Sequence, residues 1–142
     1  MISKDIYRTL VTELADEFKQ RGYQRLKGTF PSWTRPIDGK FATVWFQAAR
    51  QGGQFTIEFQ FGLKPEPGTA RLTERRQRLF ALLDNAERQH MTDHFPKGAM
   101  SSGDDYWFLA SNADMVSAVA RWLGPRMELL MTRIASRANV PY

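Results

Sequence analysis

The stretch from Gln54 to Leu63, QFTIEFQFGL, decides the fold class, because apolar side chains alternate in it with Thr, Glu, Gln and Gly. In an extended chain, alternate side chains point to opposite faces, so one face of this stretch carries only large apolar groups: Phe55, Ile57, Phe59, Phe61 and Leu63. Such alternation is typical of an antiparallel strand with one buried face, rather than of the all-apolar strands of a parallel sheet.

The segment before this stretch predicts a hairpin. Phe41–Arg50 also alternates, and Gly52 and Gly53 stand between the two runs as a turn signal. A two-residue turn would place three pairs on the core face: Ala48 with Ile57, Phe46 with Phe59, and Val44 with Phe61. Trp45 and Gln47 would then point away from the core.

An earlier strand is predicted over residues 25–34, with a turn at residues 36–39. Its register stays open. A three-residue loop buries Phe30 and leaves Trp33 outside, whereas a two-residue loop does the reverse. Pro31 favours an edge strand or a bulge, because proline donates no ladder hydrogen bond.

Apolar residues at three- and four-residue spacing predict three helices. The first begins at Ser3 as a capping residue and ends at Gly22, and the second runs from about Glu74 to about Thr92. The last is predicted to begin with a capping box of Ser111 and Asp114, and it must kink or restart at Pro125, because proline cannot donate within a helix.

A short aromatic segment, residues 105–110, predicts a last strand. The expected fold is therefore α+β, a meander of three or four antiparallel strands with the N-terminal and C-terminal helices packed on its Phe55–Phe61 face. We expect residues 1–142 to form a single domain, because no repeat or linker divides the chain.

Composition excludes several function classes. The 142 residues contain no cysteine, which rules out disulfides, thiolate metal sites and a cysteine nucleophile. No apolar run approaches the roughly 18 residues of a membrane-spanning helix, and the charged Lys4 and Asp5 follow within five residues of the start, without the apolar stretch of a signal peptide. We expect a cytoplasmic protein that does not enter the membrane.

The two histidines are the candidate metal ligands. His90 and His94 stand one helical turn apart, which can direct both rings at one ion. A third ligand would have to come from Glu87, Asp104 or Asp105. Because Pro96 ends the helix at once, we expect polar residues at a helix end, with neither a metal nor another cofactor.

No catalytic signature accompanies these residues. Asp104 and Asp105 form an adjacent acidic pair, but neighbouring strand residues point to opposite faces and could not flank one bond. The glycines at 52 and 53 lie between strands rather than at a helix N-terminus, where a phosphate loop would be. The sequence favours a non-enzymatic protein.

The net charge of +5 is unevenly distributed. Between residues 19 and 40, six basic residues face one acidic residue, and between 71 and 78 four face one. Between residues 84 and 114, six acidic residues oppose two basic ones. This pattern predicts a dipolar molecule whose basic side attracts an acidic partner.

Outward aromatic and basic side chains form the predicted binding surface, because aromatic residues and arginine anchor interfaces. The candidates are Trp45, Trp33, Gln47, Arg50, Lys27, Arg35, Arg75, Arg76 and Arg78. A protein partner, with acidic character as one option, is the leading interpretation. The alternative is single-stranded nucleic acid stacked on exposed rings. If a helix covered this face, the same aromatic side chains would instead be core.

Most of the chain resembles the bacterial domain of unknown function 4304 family. The resemblance is carried by Gly22-Tyr23, Phe30, Val44-Trp45-Phe46-Gln47, Phe55-Thr56-Ile57, Gly62 and Asp105-Tyr106-Trp107. It implies a small stand-alone bacterial α+β protein from accessory or toxin–immunity gene neighbourhoods. It also implies an extended piece around Arg78, where spacing favours a helix, so residues 69–83 stay open between strand and helix.

Overall fold

The alternating stretch forms an interior strand of the sheet in the computed structural model, which describes residues 1–65, 75–103 and 105–138. This strand, β4 (Gln54–Gly62), pairs along its length with β3 (Lys40–Ala48). The meander continues through β2 (Ser32–Ile37) to the edge strand β1 (Gln24–Leu26). Two short strands, β5 (Arg75–Arg78) and β6 (Phe108–Leu109), share the other edge of β4. All pairs are antiparallel, so the predicted α+β meander is confirmed, with six strands instead of three or four.

Five helices accompany the sheet in the described part of the chain. They are α1 (Ser3–Gln20), α2 (Leu79–Leu82), α3 (Asn85–His94), α4 (Ala113–Leu123) and α5 (Met127–Ala138). A 3-10 turn, Gly124–Arg126, joins α4 to α5 and contains Pro125, so the predicted restart at this proline is confirmed. No described helix combines the length and the apolar character needed to cross a bilayer.

The core lies between one face of the sheet and the helices. The Phe55–Phe61 face of β4 and the facing side chains of β3 pack with the apolar stripe of α1, namely Ile6, Leu10, Leu14 and Phe18. Side chains of α4 and α5 belong to the same cluster. Trp33 joins it through edge-to-face contacts with Phe18 and Phe46, at ring-centroid distances of 4.7 and 5.9 Å. The expectation that the first and last helices cover this face is confirmed.

The register of the β3–β4 hairpin differs from the prediction by two residues. Ala48 faces Phe55 and Val44 faces Phe59, because four residues, not two, separate the last hydrogen-bonded pair. Within that loop the Gly52 N–H donates to the Ala49 carbonyl at 2.8 Å. A two-residue shift leaves every side chain on its predicted face, so the predicted core survives the error.

The β2–β3 turn decides between the two alternatives for the earlier strand. Asp38 and Gly39 both have positive φ, 52° and 78°, which is the geometry of a two-residue type I′ turn. The strand consequently directs Trp33 into the core, where it is 2% exposed. Phe30 is half-buried in the loop before β2.

The predicted helix over residues 74–92 is wrong in its first part. Arg75–Arg78 is strand β5, and the helix that was expected to be continuous is divided into α2 and α3. Asp84 starts α3 with a capping box, in which its side chain and that of Glu87 exchange hydrogen bonds with backbone N–H groups. Residues 66–74 lie outside the described part of the chain, so the extended or helical state of 69–74 is not assigned.

Smaller predictions at element ends are also corrected. The Ser3 hydroxyl donates to the Ala49 carbonyl at 2.9 Å instead of capping α1. Asn112, not Ser111, caps α4 by accepting from the Met115 N–H. The last strand is only two residues long.

Candidate binding surface

The sheet face opposite the helices is polar and nevertheless buried. Seven of its residues are at most 3% exposed: Ser32, Thr34, Thr43, Trp45, Thr56, Glu58 and Gln60. The expectation that Trp45 projects into solvent is therefore wrong, although it does point away from the helices. Arg76 covers its ring, with the guanidinium carbon 5.5 Å from the ring centroid.

Glu58 is the centre of a charged network on this face, here called the arginine–carboxylate ladder (Arg76, Glu58, Arg78 and Asp105). Arg76 donates to both Glu58 oxygens, from Nε at 3.0 Å and from Nη2 at 3.0 Å. Arg78 Nε lies 2.9 Å from Glu58 Oε1 and 3.3 Å from Asp105 Oδ1. The ladder thus links β5 to β4 and to the segment before β6.

Each arginine of the ladder also covers a tryptophan. Arg78 lies 5.6 Å from the centroid of Trp107, whose Nε1 donates to Asp105 at 3.2 Å. Two buried donors, Trp45 Nε1 and Arg78 Nη1, have no hydrogen-bond partner in the described part of the chain. With two cations matched to two carboxylates, the ladder is internally neutralised, so it fastens strands together rather than presenting free charge.

Glu58 is not placed as a catalytic acid or base. Both of its oxygens are occupied by guanidinium donors, and its side chain is almost entirely removed from solvent. A general base must instead reach a substrate proton directly or through one water. This arrangement holds the charged side chains in fixed positions and does not place Glu58 for proton transfer.

The sequence-predicted surface residues do not form one surface. Trp45, Gln47, Arg76 and Arg78 belong to the polar face, whereas Trp33 and Arg35 belong to the helix-covered face. The prediction of Trp33 as an exposed anchor is wrong, because the two-residue turn directs it inward.

The remaining predicted residues are scattered around the rim. Arg35 is half-buried and pairs with Glu128 of α5 at 3.0 Å. Lys27 and Arg50 are exposed in separate loops, after β1 and after β3. For Arg75 only the backbone position is described.

The histidine pair is stacked on the outside of α3. The rings of His90 and His94 are 4.0 Å apart at 19°, and His94 Nδ1 lies 2.8 Å from the His90 carbonyl oxygen. Because a carbonyl only accepts, this nitrogen carries the proton.

The proposed third ligands are engaged elsewhere. Glu87 bonds Arg133 at 2.6 Å, Asp105 belongs to the ladder, and Asp104 lies outside the described residues. Within the described ranges, no group of three or more potential metal ligands occurs. The absence of a metal and of a cofactor stays a prediction.

A basic groove runs along α1, between this helix on one side and β1 with the following loop on the other. We call it the α1 groove. It consists of two adjoining cavities of about 360 and 330 Å³ that both contact Arg25. The α1 side chains lining them are Lys4, Tyr7, Arg8, Val11, Thr12, Ala15, Asp16 and Lys19. These positions recur every three or four residues, so they form one continuous stripe of the helix, about 22 Å long at 1.5 Å per residue.

The α1 groove carries an excess of positive charge. Lys4, Arg8, Lys19 and Arg25 line it, against one acidic residue, Asp16. The Arg25 guanidinium lies 5.0 Å from the ring centroid of Trp33, which holds it against the groove wall. None of the described carboxylates lies within the 4.0 Å ion-pair distance of the Arg25 guanidinium.

Sequence analysis missed this groove. The stretch from residue 19 to 40 was recognised as basic, and it contains Lys19 and Arg25. The signal that could have completed it is the position of Lys4 and Arg8 on the same stripe of α1. In sequence alone those two residues are indistinguishable from ordinary solvated charge, because only the fold brings β1 next to that stripe.

Known proteins add no assignment to this geometry. The chain matches no family model, no curated protein and no solved structure.

Proposed function

We propose that this protein is a non-enzymatic binding protein that docks an acidic protein partner in the α1 groove. One observation carries the proposal: a stacked guanidinium, Arg25, sits in the middle of a groove with three further cations and has no carboxylate partner among the described residues. An unpaired cation held in place, as Arg25 is, attracts and orients an acidic surface. From the family resemblance the proposal takes an immunity-type role in a bacterial cytoplasm.

Binding is favoured over catalysis by the state of the candidate reactive groups. Both oxygens of the buried carboxylate, Glu58, contact arginine side chains. The Nδ1 proton of His94 is donated to the backbone carbonyl of His90. Neither arrangement brings a nucleophile and a base together in a cavity, which hydrolytic and transfer enzymes need.

A protein partner is favoured over single-stranded nucleic acid by the burial of the aromatic rings. Base stacking needs exposed ring faces. Trp33 and Trp45 are at most 2% exposed, and Trp107 and Trp122 are also buried. What the groove offers is charge with a partly apolar floor, a combination that suits carboxylate side chains on a polypeptide.

The test is affinity capture from a nuclease-treated extract of the native host with three matched baits. They are the wild type, Arg25→Gln in the groove, and Arg121→Gln on α4, which removes an equally charged but 72% exposed side chain elsewhere. We expect an acidic protein on the wild-type and Arg121→Gln baits that is at least tenfold depleted on Arg25→Gln. Its affinity, remeasured with purified components, should fall as salt rises.

Two results would overturn the proposal. One is equal capture of every specific partner by Arg25→Gln. The other is a species that is captured from an untreated extract and is lost when the extract is treated with nuclease, which would favour the nucleic-acid alternative.

A further inference from the structure

We infer that the α1 groove recognises an extended acidic segment of about six or seven residues, with its carboxylates concentrated toward the Lys4 end. The inference rests on the proposed function and specifies the form of the partner. It follows from the length of the groove, from its volume, and from the order of charges along it.

Length sets the number of residues. The lining stripe of α1 from Lys4 to Lys19 spans about 22 Å at 1.5 Å per residue. An extended chain rises about 3.3 Å per residue, so six or seven residues cover that distance.

The small volume of the groove favours an extended occupant over a helix. A helix with its side chains is about 10–12 Å across. The two cavities, of about 360 and 330 Å³, are each at the small end of the range for single small-molecule sites. They have room for one extended strand with its side chains.

Arg25 supplies the central recognition group, because it belongs to both cavities. Its guanidinium stacks on Trp33 and is thereby restricted in orientation. A planar guanidinium can donate two parallel hydrogen bonds to one carboxylate, whereas a lysine ammonium acts as a point charge. A carboxylate near the middle of the segment is therefore expected to bind in bidentate fashion.

Charge is graded along the groove. Lys4, Arg8 and Arg25 line the first cavity, where Asp5, outside the lining, pairs with Arg8 at 3.6 Å and leaves two cations, Lys4 and Arg25, without a lining acid. In the second cavity, Asp16 faces Lys19 and Arg25 and offsets one of those charges. Carboxylates are consequently favoured toward the Lys4 end, and neutral residues are tolerated beside Asp16.

The experiment is fluorescence anisotropy at low salt with four labelled probes. The first is a seven-residue peptide with glutamates at positions 1, 3 and 5, and the second has glutamines there. The third is a fourteen-residue acidic helical peptide, and the fourth is a ten-nucleotide oligo-dT. We expect the first probe to bind at least tenfold more tightly than each of the others.

Variants separate the parts of the inference. Arg25→Gln should weaken the first probe at least tenfold, and Arg25→Lys at least threefold, because lysine keeps the charge but loses the fork. Asp16→Asn should tighten it two- to threefold, and Arg121→Gln should change nothing. Circular dichroism and a melting curve for each variant show that the fold is retained.

The outcomes are distinguishable from failure of the proposed function. If a captured protein needs Arg25 but the short peptide binds no better than its glutamine version, the inference is overturned and the proposed function stands. If the oligonucleotide alone binds in an Arg25-dependent way, both are overturned. If Arg25→Lys left the affinity for the first probe unchanged, bidentate recognition would be overturned. If Asp16→Asn left it unchanged, the placement of the carboxylates toward Lys4 would be overturned.

Discussion

Replacing Glu58 by glutamine would remove the charge that holds the arginine–carboxylate ladder together, with almost no change in volume. Glu58 is 3% exposed, accepts hydrogen bonds from Arg76 and forms an ion pair with Arg78. Breaking a buried ion pair by removing one partner costs about 3–5 kcal/mol, because the other charge is left uncompensated.

Here the expected cost is smaller than that limit. The side chains of Arg76 and Arg78 are 32% and 28% exposed, so water recovers part of the loss, and Arg78 keeps Asp105. We expect Glu58→Gln to lower the free energy of unfolding by about 2–3 kcal/mol. At about 2–4 °C per kcal/mol for a domain near this size, the melting temperature should fall by roughly 5–10 °C.

Urea unfolding followed by tryptophan fluorescence and far-UV circular dichroism measures this loss. Glu128→Gln is the matched control, because that carboxylate also pairs with an arginine, Arg35, but is 52% exposed. An exposed pair contributes less than about 1 kcal/mol. If both variants lost less than about 0.5 kcal/mol, the ladder would not stabilise the fold and the reasoning would fail.

The remaining predictions concern packing, the hairpin loop and high pH. Phe59→Ala and Trp45→Ala remove rings from opposite faces of the sheet. Each should lower the free energy of unfolding, measured in urea, by about 3–5 kcal/mol, because both rings are fully buried. A Trp45→Ala variant with nearly unchanged stability would show that the polar face is open to solvent. The Gly52→Ala variant should be clearly less stable than the Gly53→Ala variant. Both glycines have a φ of +80°, but only a Cβ at position 52 would collide with the backbone, at the carbonyl oxygen of Met1. Equal melting temperatures of the two variants would contradict this. Burial raises the pKa of Tyr23, so the unfolded chain ionises first as pH rises past about 10 and stability should decline from there upward. Between pH 8 and 11, the free energy of unfolding in urea should decline less steeply with pH for Tyr23→Phe than for the wild type. An identical pH dependence of the two proteins would count against a role of the Tyr23 pKa in this loss of stability.

The faces of the strands could be predicted from sequence, but the residue-by-residue register between paired strands could not. Alternation in Phe41–Arg50 and in Gln54–Leu63 reports which side chains share a face, and that is all the core requires. The exact register depends on loop hydrogen bonds such as that from Gly52 to Ala49, and two glycines fit loops of several lengths.

Burial of the polar face could not be predicted from the sequence either, because it also depends on residues that are distant along the chain. Trp45 is covered by Arg76, which lies 31 positions away and occupies a segment whose neighbouring leucines favour a helix. Pairing of that segment with β4, helped by the salt bridges to Glu58, overrides the local preference. The α1 groove was missed likewise, because its two walls are local in sequence but become adjacent only through the turn after α1.

The docking of the first helix against α4 has a consequence for the timing of biosynthesis. Glu13 of α1 meets Arg121 of α4 at 3.3 Å, and the two helices pack together although roughly 90 residues separate them in the chain. At about 5–20 residues per second, α1 waits some 5–20 s for this partner to be made. During that interval its stripe of Ile6, Leu10, Leu14 and Phe18 is bare of α4, so nascent chains that stall before residue 113 should engage chaperones or aggregate.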